Sequence, residues 1–154
     1  MIPPSFEYHA PTVLQDALGL LRQHGEGARV LAGGHSLLPM MKLRFAEPEH
    51  LIDLNRIDAL RGVREDGAHV VIGAMTTENE LIASELLQRK CPLIPEAARQ
   101  IADPQVRNCG TVGGDIAHGD PANDHPAIML TLGADFVLAQ ANGERTVAAD
   151  GFFV

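Results

Sequence analysis

Aromatic residues are scarce in this chain of 154 residues, which has no Trp, one Tyr and five Phe. A flat, ring-shaped ligand would find few side-chain rings to stack on, so aliphatic residues would have to cover part of it. Cysteine is also rare. The two cysteines, Cys91 and Cys109, lack the spacing of a zinc or iron–sulfur site. We interpret Cys109 as a small residue packed near a loop rather than as a redox group.

Positive charge is in short supply as well. The chain has 12 Lys and Arg against 20 Asp and Glu, which gives a formal net charge of −8 at pH 7. This balance argues against nucleic acid or an anionic membrane as a partner, because either would need a basic surface. A phosphate-bearing ligand would therefore be held mainly by backbone amides and helix ends.

Long apolar runs are missing too. No stretch is long enough to span a bilayer, and residues 1–4, Met-Ile-Pro-Pro, have neither the basic nor the apolar part of a secretion signal. We therefore expect a cytoplasmic protein, or one held at the cytoplasmic face of a membrane through a complex. The content of 45% hydrophobic and 21% charged residues is typical of a globular protein.

The first third of the chain predicts a β-α-β arrangement. Apolar residues recur at helical spacing between Thr12 and His24, which predicts an amphipathic helix. Strands are predicted over residues 6–9, 29–32 and 50–54. The residues after Ala32 would then follow the carboxyl end of a strand, where α/β proteins commonly bind ligands.

The rest of the chain predicts hairpins and short helices. One hairpin covers residues 60–73 with its turn at 65–67, and another turns at Asn142-Gly143. Residues 103–105 are predicted as a loop. A capping segment at residues 76–80 predicts a helix that runs to about residue 83, and further helices are predicted over 84–90, 93–101 and 125–132. We place a boundary between two lobes near residue 55, which gives lobes of 1–55 and 56–154.

Two glycine pairs are the most informative feature of the sequence. The first lies in Ala32-Gly33-Gly34-His35-Ser36 and the second in Thr111-Val112-Gly113-Gly114-Asp115, and we interpret both as turns that follow strands. Glycine has no Cβ, so backbone amides can approach a ligand closely, and clustered amides bind anions. The pairs match neither the G-x-G-x-x-G fingerprint nor a Walker A loop. Together they predict a diphosphate-bearing cofactor held from two sides.

Polar residues cluster around and after the second pair: Asp115, His118, Asp120, Asp124 and His125. A histidine–carboxylate metal site among them is possible but unsupported, because no helical spacing orients the ligands. Asp124 has two interpretations, since it could cap the helix that begins near His125 or accept hydrogen bonds from ligand hydroxyls. No convincing nucleophile or acid–base pair is evident.

Six short motifs occur in a fixed order along the chain. They are Ala32-Gly33-Gly34-His35-Ser36-Leu37, Lys42-Leu43-Arg44, Ile72-Gly73-Ala74, Arg107-Asn108, Thr111-Val112-Gly113-Gly114-Asp115 and Gly119-Asp120-Pro121-Ala122-Asn123-Asp124. Together they resemble the FAD-binding medium subunit of molybdenum hydroxylases, the xanthine dehydrogenase family. The resemblance is strongest to the aerobic carbon monoxide dehydrogenase branch of that family.

The resemblance implies an α+β fold, a two-lobed FAD-binding domain of the vanillyl-alcohol-oxidase and p-cresol-methylhydroxylase type, with FAD between the lobes. It implies cofactor contacts from both glycine segments, an aliphatic residue near the isoalloxazine ring and one carboxylate. It implies no catalytic residue and no metal ligand. The implied contact residues are Leu31, Ala32, Gly33, Gly34, His35, Ser36, Leu37, Ile101, Thr111, Val112, Gly113, Gly114, Asp115 and Asp124.

The implied role is electron transfer within a complex. A large partner subunit would hydroxylate the substrate at a molybdenum–pterin site, and a small partner subunit would carry two [2Fe–2S] clusters. FAD on this chain would collect the electrons and hand them to an external acceptor. A dimer of heterotrimers is the expected assembly.

Two departures from the family pattern bear on this role. Many relatives carry Asn where this chain has Asp115, and relatives continue beyond residues 150–154 with more of the FAD domain and a C-terminal domain. The fold is therefore expected to be C-terminally truncated, with the second lobe incomplete. Two alternatives remain open: a noncatalytic subunit-interaction module that has lost stable FAD binding, and a flavin reductase of the same fold acting alone.

Overall fold

A computed structural model describes residues 2–153 and begins with a three-stranded parallel sheet. Strands β1 (Glu7–His9), β2 (Ala28–Leu31) and β3 (His50–Asp53) lie in the order β1-β3-β2. Helix α1 (Leu14–His24) connects the first two strands. The predicted β-α-β arrangement is confirmed, with β2 one residue earlier than expected.

Small residues let α1 pack closely on this sheet. Ala17 of α1 and Ala28 of β2 are buried against Ile52 of β3 and Ile57. Leu60 packs at the edge of the same cluster. Residues on both sides of the expected lobe boundary at residue 55 therefore share one core, and that boundary stays a prediction.

The chain leaves β2 through the first glycine pair and enters helix α2 (Leu37–Lys42). The amide of Leu54 donates to the carbonyl of Leu31 at 3.0 Å, which extends the β2–β3 pairing to the last residue before the loop. Gly34 has a φ of +77°, in the left-handed region that glycine adopts without steric cost. The loop is therefore fixed at its start by the sheet and shaped by one glycine.

Two antiparallel hairpins follow, and both turns differ from the predicted positions. In the first, β4 (Val63–Asp66) pairs with β5 (His69–Ile72), and Asp66 lies opposite His69. The turn therefore consists of residues 67–68, so the predicted turn at 65–67 is wrong. In the second, β6 (Asp135–Gln140) pairs with β7 (Gly143–Ala148) and the turn is residues 141–142, because Gly143 already belongs to the strand.

Short helices form the remaining structure. Most of the helices near the second glycine pair have an N-cap residue whose side chain accepts a hydrogen bond from a backbone amide of the first turn. Asp103 was predicted to lie in a loop, but its Oδ1 accepts the amides of Gln105 and Val106 and begins a helix there. The helices are α3 (Glu78–Ala83), α4 (Glu85–Lys90), α5 (Leu93–Gln100), α6 (Pro104–Cys109), α7 (Val112–His118), α8 (Asp124–Leu132) and α9 (Ala149–Phe152).

A second core lies among these helices and the hairpins. Its buried members are Leu81, Leu87, Ile94, Ala98, Val112, Ile128, Met129 and Ala149. Over residues 2–153, no helix is both long enough and apolar enough to cross a membrane.

Candidate functional site

The two glycine segments lie in direct contact. A Cβ built on Gly114 would lie 3.3 Å from the Cβ of Ala32 and 3.9 Å from the amide nitrogen of Gly33. A Cβ on Gly33 would lie 2.4 Å from the carbonyl oxygen of Cys109. The segments therefore form one continuous surface, which we call the glycine wall (residues 32–36 and 111–115), whereas the sequence predicted a grip from two sides.

The second segment is the start of a helix, so its prediction as a turn after a strand is wrong. Thr111 is the N-cap of α7, and its Oγ1 accepts the amide of Gly114 at 3.2 Å. The segment follows α6, not a strand. Gly113 is required by packing, since a Cβ there would lie 2.5 Å from the Cβ of Ala74.

The amides of residues 112–115 all donate hydrogen bonds inside the protein. The Val112 amide donates to the carbonyl of Thr76 at 3.1 Å, and the Gly113 amide donates to that of Ala74 at 2.9 Å. The Asp115 amide donates to the carbonyl of Thr111 at 3.0 Å. Residues 112–115 therefore contribute shape to the glycine wall and no free amide donors.

The free donors belong to the first segment. Among residues 2–153, no protein group accepts a hydrogen bond from the amides of residues 33–36. Gly33 and Gly34 are half-buried, while His35 and Ser36 are exposed. Unpaired amides beside a surface without Cβ atoms suit an anionic diphosphate, because they bind it without cationic side chains. The residues present fit the diphosphate of FAD.

Asp115 turns part of its carboxylate inward. Its Oδ2 is buried and has no partner among the described residues. Burial raises the pKa of this carboxyl above its usual range, and the nearby Glu78 and Asp124 add to the rise, although His125 opposes it. An ionised carboxylate accepts hydrogen bonds only, so an ionised Asp115 cannot donate to a phosphate.

A buried ion pair lies beside the glycine wall. Nε2 of His125 is 3.0 and 2.9 Å from the two carboxylate oxygens of Glu78, and both residues are almost fully buried. Burial lowers the pKa of His125, but the bond and charge of Glu78, with Asp115 and Asp124, outweigh it and raise the pKa overall. The sequence placed Glu78 only at a helix start, so this partnership was missed.

Asp124 and Ile101 have defined positions. Asp124 is exposed in the first turn of α8, and Asn123 holds the N-cap position, so the interpretation of Asp124 as the cap is wrong. Ile101 is half-buried at the end of α5, and its carbonyl accepts from Nη1 of Arg107 at 2.9 Å. Their contacts with a flavin stay predictions, as do those of the other implied residues.

The histidines and carboxylates after the second glycine pair do not gather around one point. In the part of the chain that the structure describes, the group whose ligand atoms lie close enough for one metal ion is His9, His24 and His50. That group does not include any of the polar residues at 115–125. Cys91 and Cys109 are both free thiols.

Comparison with known proteins places this geometry in a family. A profile described as "FAD binding domain in molybdopterin dehydrogenase" matches residues 4–154. The chain is 66% identical over 154 residues to the carbon monoxide dehydrogenase medium chain of Hydrogenophaga pseudoflava. It is 55% identical over 153 residues to that of Afipia carboxidovorans. These alignments cover 100% and 99% of this chain but 54% and 53% of the relatives, so the chain spans about half their length.

Solved structures agree with the sequence matches. Carbon monoxide dehydrogenase from Hydrogenophaga pseudoflava, in a form that lacks the Mo-pyranopterin moiety, superposes with a TM-score of 0.98 at 67% identity. That match covers 100% of this chain and 54% of the other. Quinoline 2-oxidoreductase from Pseudomonas putida 86 gives 0.93 at 35% identity, covering 97% and 52%. The α+β fold is confirmed, and the chain belongs to the FAD-binding domain family of molybdopterin dehydrogenases.

Proposed function

We propose that this chain is the FAD-binding part of an electron-transfer subunit in a molybdenum hydroxylase complex. The observation that carries the proposal is the set of unpaired amides at residues 33–36, which lies against the Cβ-free surface of Gly114. Family membership and full coverage of the chain by the medium chain of a carbon monoxide dehydrogenase support it.

The residues of the glycine wall have separate tasks in this proposal. Amides of residues 33–36 donate to the diphosphate oxygens, which a chain of net charge −8 needs because it offers few cations. The missing Cβ atoms of Gly33 and Gly114 let the two segments pack together beneath the ligand. The exposed Asp124 accepts hydrogen bonds from ribityl or ribose hydroxyls, and Ile101 covers part of the flavin ring.

Partner subunits complete the proposed function. When bound, FAD supplies a redox group that takes electrons from the iron–sulfur clusters of a small subunit and delivers them to an external acceptor. The molybdenum–pterin site of a large subunit selects the substrate. We propose a dimer of such heterotrimers, in the cytoplasm or at the cytoplasmic face of the membrane.

Flavin titration of the purified full chain tests the proposal. We expect protein to quench FAD fluorescence until about one FAD is bound per chain, and we expect bound FAD to raise the melting temperature by mass action. The same measurement on the chain assembled with molybdenum and iron–sulfur subunits should give flavin that the iron–sulfur subunit reduces. Absence of FAD from both preparations would instead indicate a noncatalytic subunit-interaction module.

A further inference from the structure

Three histidines meet on the face of the parallel sheet that helix α1 covers. His9 ends β1, His24 ends α1 and His50 begins β3. Their rings are in contact: the centroids of His24 and His50 are 3.6 Å apart, and that of His9 is 5.4 and 5.5 Å from the other two. Histidines that are far apart in sequence are therefore gathered by the fold.

Strand register and helix direction explain this meeting. Glu7 lies opposite His50, and His9 opposite the buried Ile52, so Glu7, His9 and His50 face the side of the sheet that α1 covers. Helix α1 runs back over this face between two parallel strands, so its last residue, His24, returns to the start of the strands. The glycine wall follows the opposite, carboxyl end of β2.

The distances among the ligand atoms suit one metal ion. One nitrogen of each histidine lies within 4.8 Å of the others, and Nε2 of His9 is 3.2 Å from Nδ1 of His50. Tetrahedral Zn²⁺ with Zn–N bonds of about 2.0–2.1 Å holds its nitrogens roughly 3.3 Å apart. Oε2 of Glu7 lies 3.4 Å from Nδ1 of His50 and 4.0 Å from Nε2 of His9, close enough to be a fourth ligand.

The exposure of the histidines also favours metal binding. A neutral imidazole has the free lone pair that a metal needs. The side chains of His9 and His50 are 24% and 18% exposed, so an ion can reach them from solvent.

We propose that His9, His24 and His50, with Glu7 as the fourth ligand, form a binding site for a divalent transition-metal ion, with Zn²⁺ as the representative ion. Binding turns the stacked rings of His24 and His50 so that one nitrogen of each faces the ion. The ion then joins β1, α1 and β3 at one point, which fixes the first strand to the sheet. The site is separate from the glycine wall and requires no cofactor.

Calorimetric titration with ZnCl₂ tests this site in the full chain after treatment with a chelator. The unmodified chain should bind about one Zn²⁺, and its melting temperature should rise with added Zn²⁺. His24→Ala and His50→Ala should each weaken binding by at least about 100-fold, and Glu7→Gln by about 10-fold.

His69→Ala is the matched control, because His69 is an exposed histidine on β5 outside the cluster. It should bind Zn²⁺ as the unmodified chain does. The proposal is overturned if His24→Ala and His50→Ala bind Zn²⁺ as tightly as the His69→Ala control, or if the unmodified chain does not bind Zn²⁺. Circular dichroism of each variant checks that the fold is kept.

Discussion

Glu78 and His125 form a buried ion pair that joins the start of α3 to the start of α8. Nε2 of His125 contacts both carboxylate oxygens of Glu78, at 3.0 and 2.9 Å. The amide of Glu78 donates to the carbonyl of Gly110 at 3.1 Å, directly before the second glycine segment. The pair therefore anchors α8, with Asp124 in its first turn, to the backbone that leads into the glycine wall.

Breaking this pair should cost much stability. We predict that Glu78→Ala lowers the free energy of unfolding by about 3–5 kcal/mol, because it leaves a buried histidine without its partner. Glu85→Ala is the matched control: Glu85 is also the first residue of a short capped helix, but it is exposed. It should cost less than about 1 kcal/mol. Equal losses in urea unfolding would contradict a structural role for the pair.

The pair should also make stability depend on pH. Because the folded state raises the pKa of His125, its contribution is fully present below the unfolded value near 6.5. It is lost as the pH rises through the higher pKa of the folded state. The difference in unfolding free energy between the unmodified chain and His125→Gln should therefore be largest near about pH 6 and shrink toward about pH 9. A difference independent of pH would argue against a charged His125.

Asp115→Asn should stabilise the chain at neutral pH. Burial raises the pKa of Asp115, so ionising this carboxyl works against folding once the pH exceeds that pKa. Asparagine removes the charge, and we expect a gain of about 1 kcal/mol at pH 7 that shrinks as the pH falls below the pKa of the folded state. Asp135→Asn, at an exposed position on β6, should change little. Thermal melts at several pH values measure both, and a destabilised Asp115→Asn would contradict this reasoning.

Gly19→Ala should stabilise the chain without touching the glycine wall. Gly19 is exposed in the middle of α1, and no atom lies within 4 Å of a Cβ built there. Alanine reduces the freedom of the unfolded chain and favours the helix, which is worth roughly 0.4–1 kcal/mol. The midpoint of urea unfolding should rise, and a lower midpoint would show that α1 is constrained in another way.

Sequence patterns predicted the fold correctly for elements whose secondary structure depends mainly on their own residues. Helix α1 was predicted well because apolar spacing over 11 residues makes its buried face visible in the sequence. The second glycine pair misled because two adjacent glycines are typical of a turn, while Thr111 caps a helix and Gly113 packs on Ala74, 39 positions before it. Contacts of that kind depend on tertiary structure.

The candidate site was predicted only in part, because sequence patterns show local features but not contacts between distant residues. The glycine residues of the wall carry a local signal, and their motifs identified the family. The Glu78–His125 pair and the His9–His24–His50 cluster carry none, because their members lie on different elements. The sequence also did not show which glycine segment has free amide donors. Only the structure shows that the amides of Val112 and Gly113 already donate hydrogen bonds within the protein.

FAD binding by two glycine variants tests the central claim most directly. Gly34 and Gly67 both have left-handed backbones, with φ of +77° and +60°, so alanine should strain each backbone by roughly 1–2 kcal/mol. At Gly34 the new Cβ would also lie 2.9 Å from Cδ1 of Leu38 and would shift that side chain, whereas at Gly67 it would meet nothing within 4 Å, so circular dichroism should first show that both variants are folded. Gly34 lies in the loop with the unpaired amides, whereas Gly67 lies in the turn of the first hairpin. In a flavin fluorescence titration, Gly34→Ala should weaken FAD binding by at least about tenfold and Gly67→Ala should leave it unchanged. Equal FAD affinity in the two variants would contradict the assignment of residues 33–36 to the diphosphate.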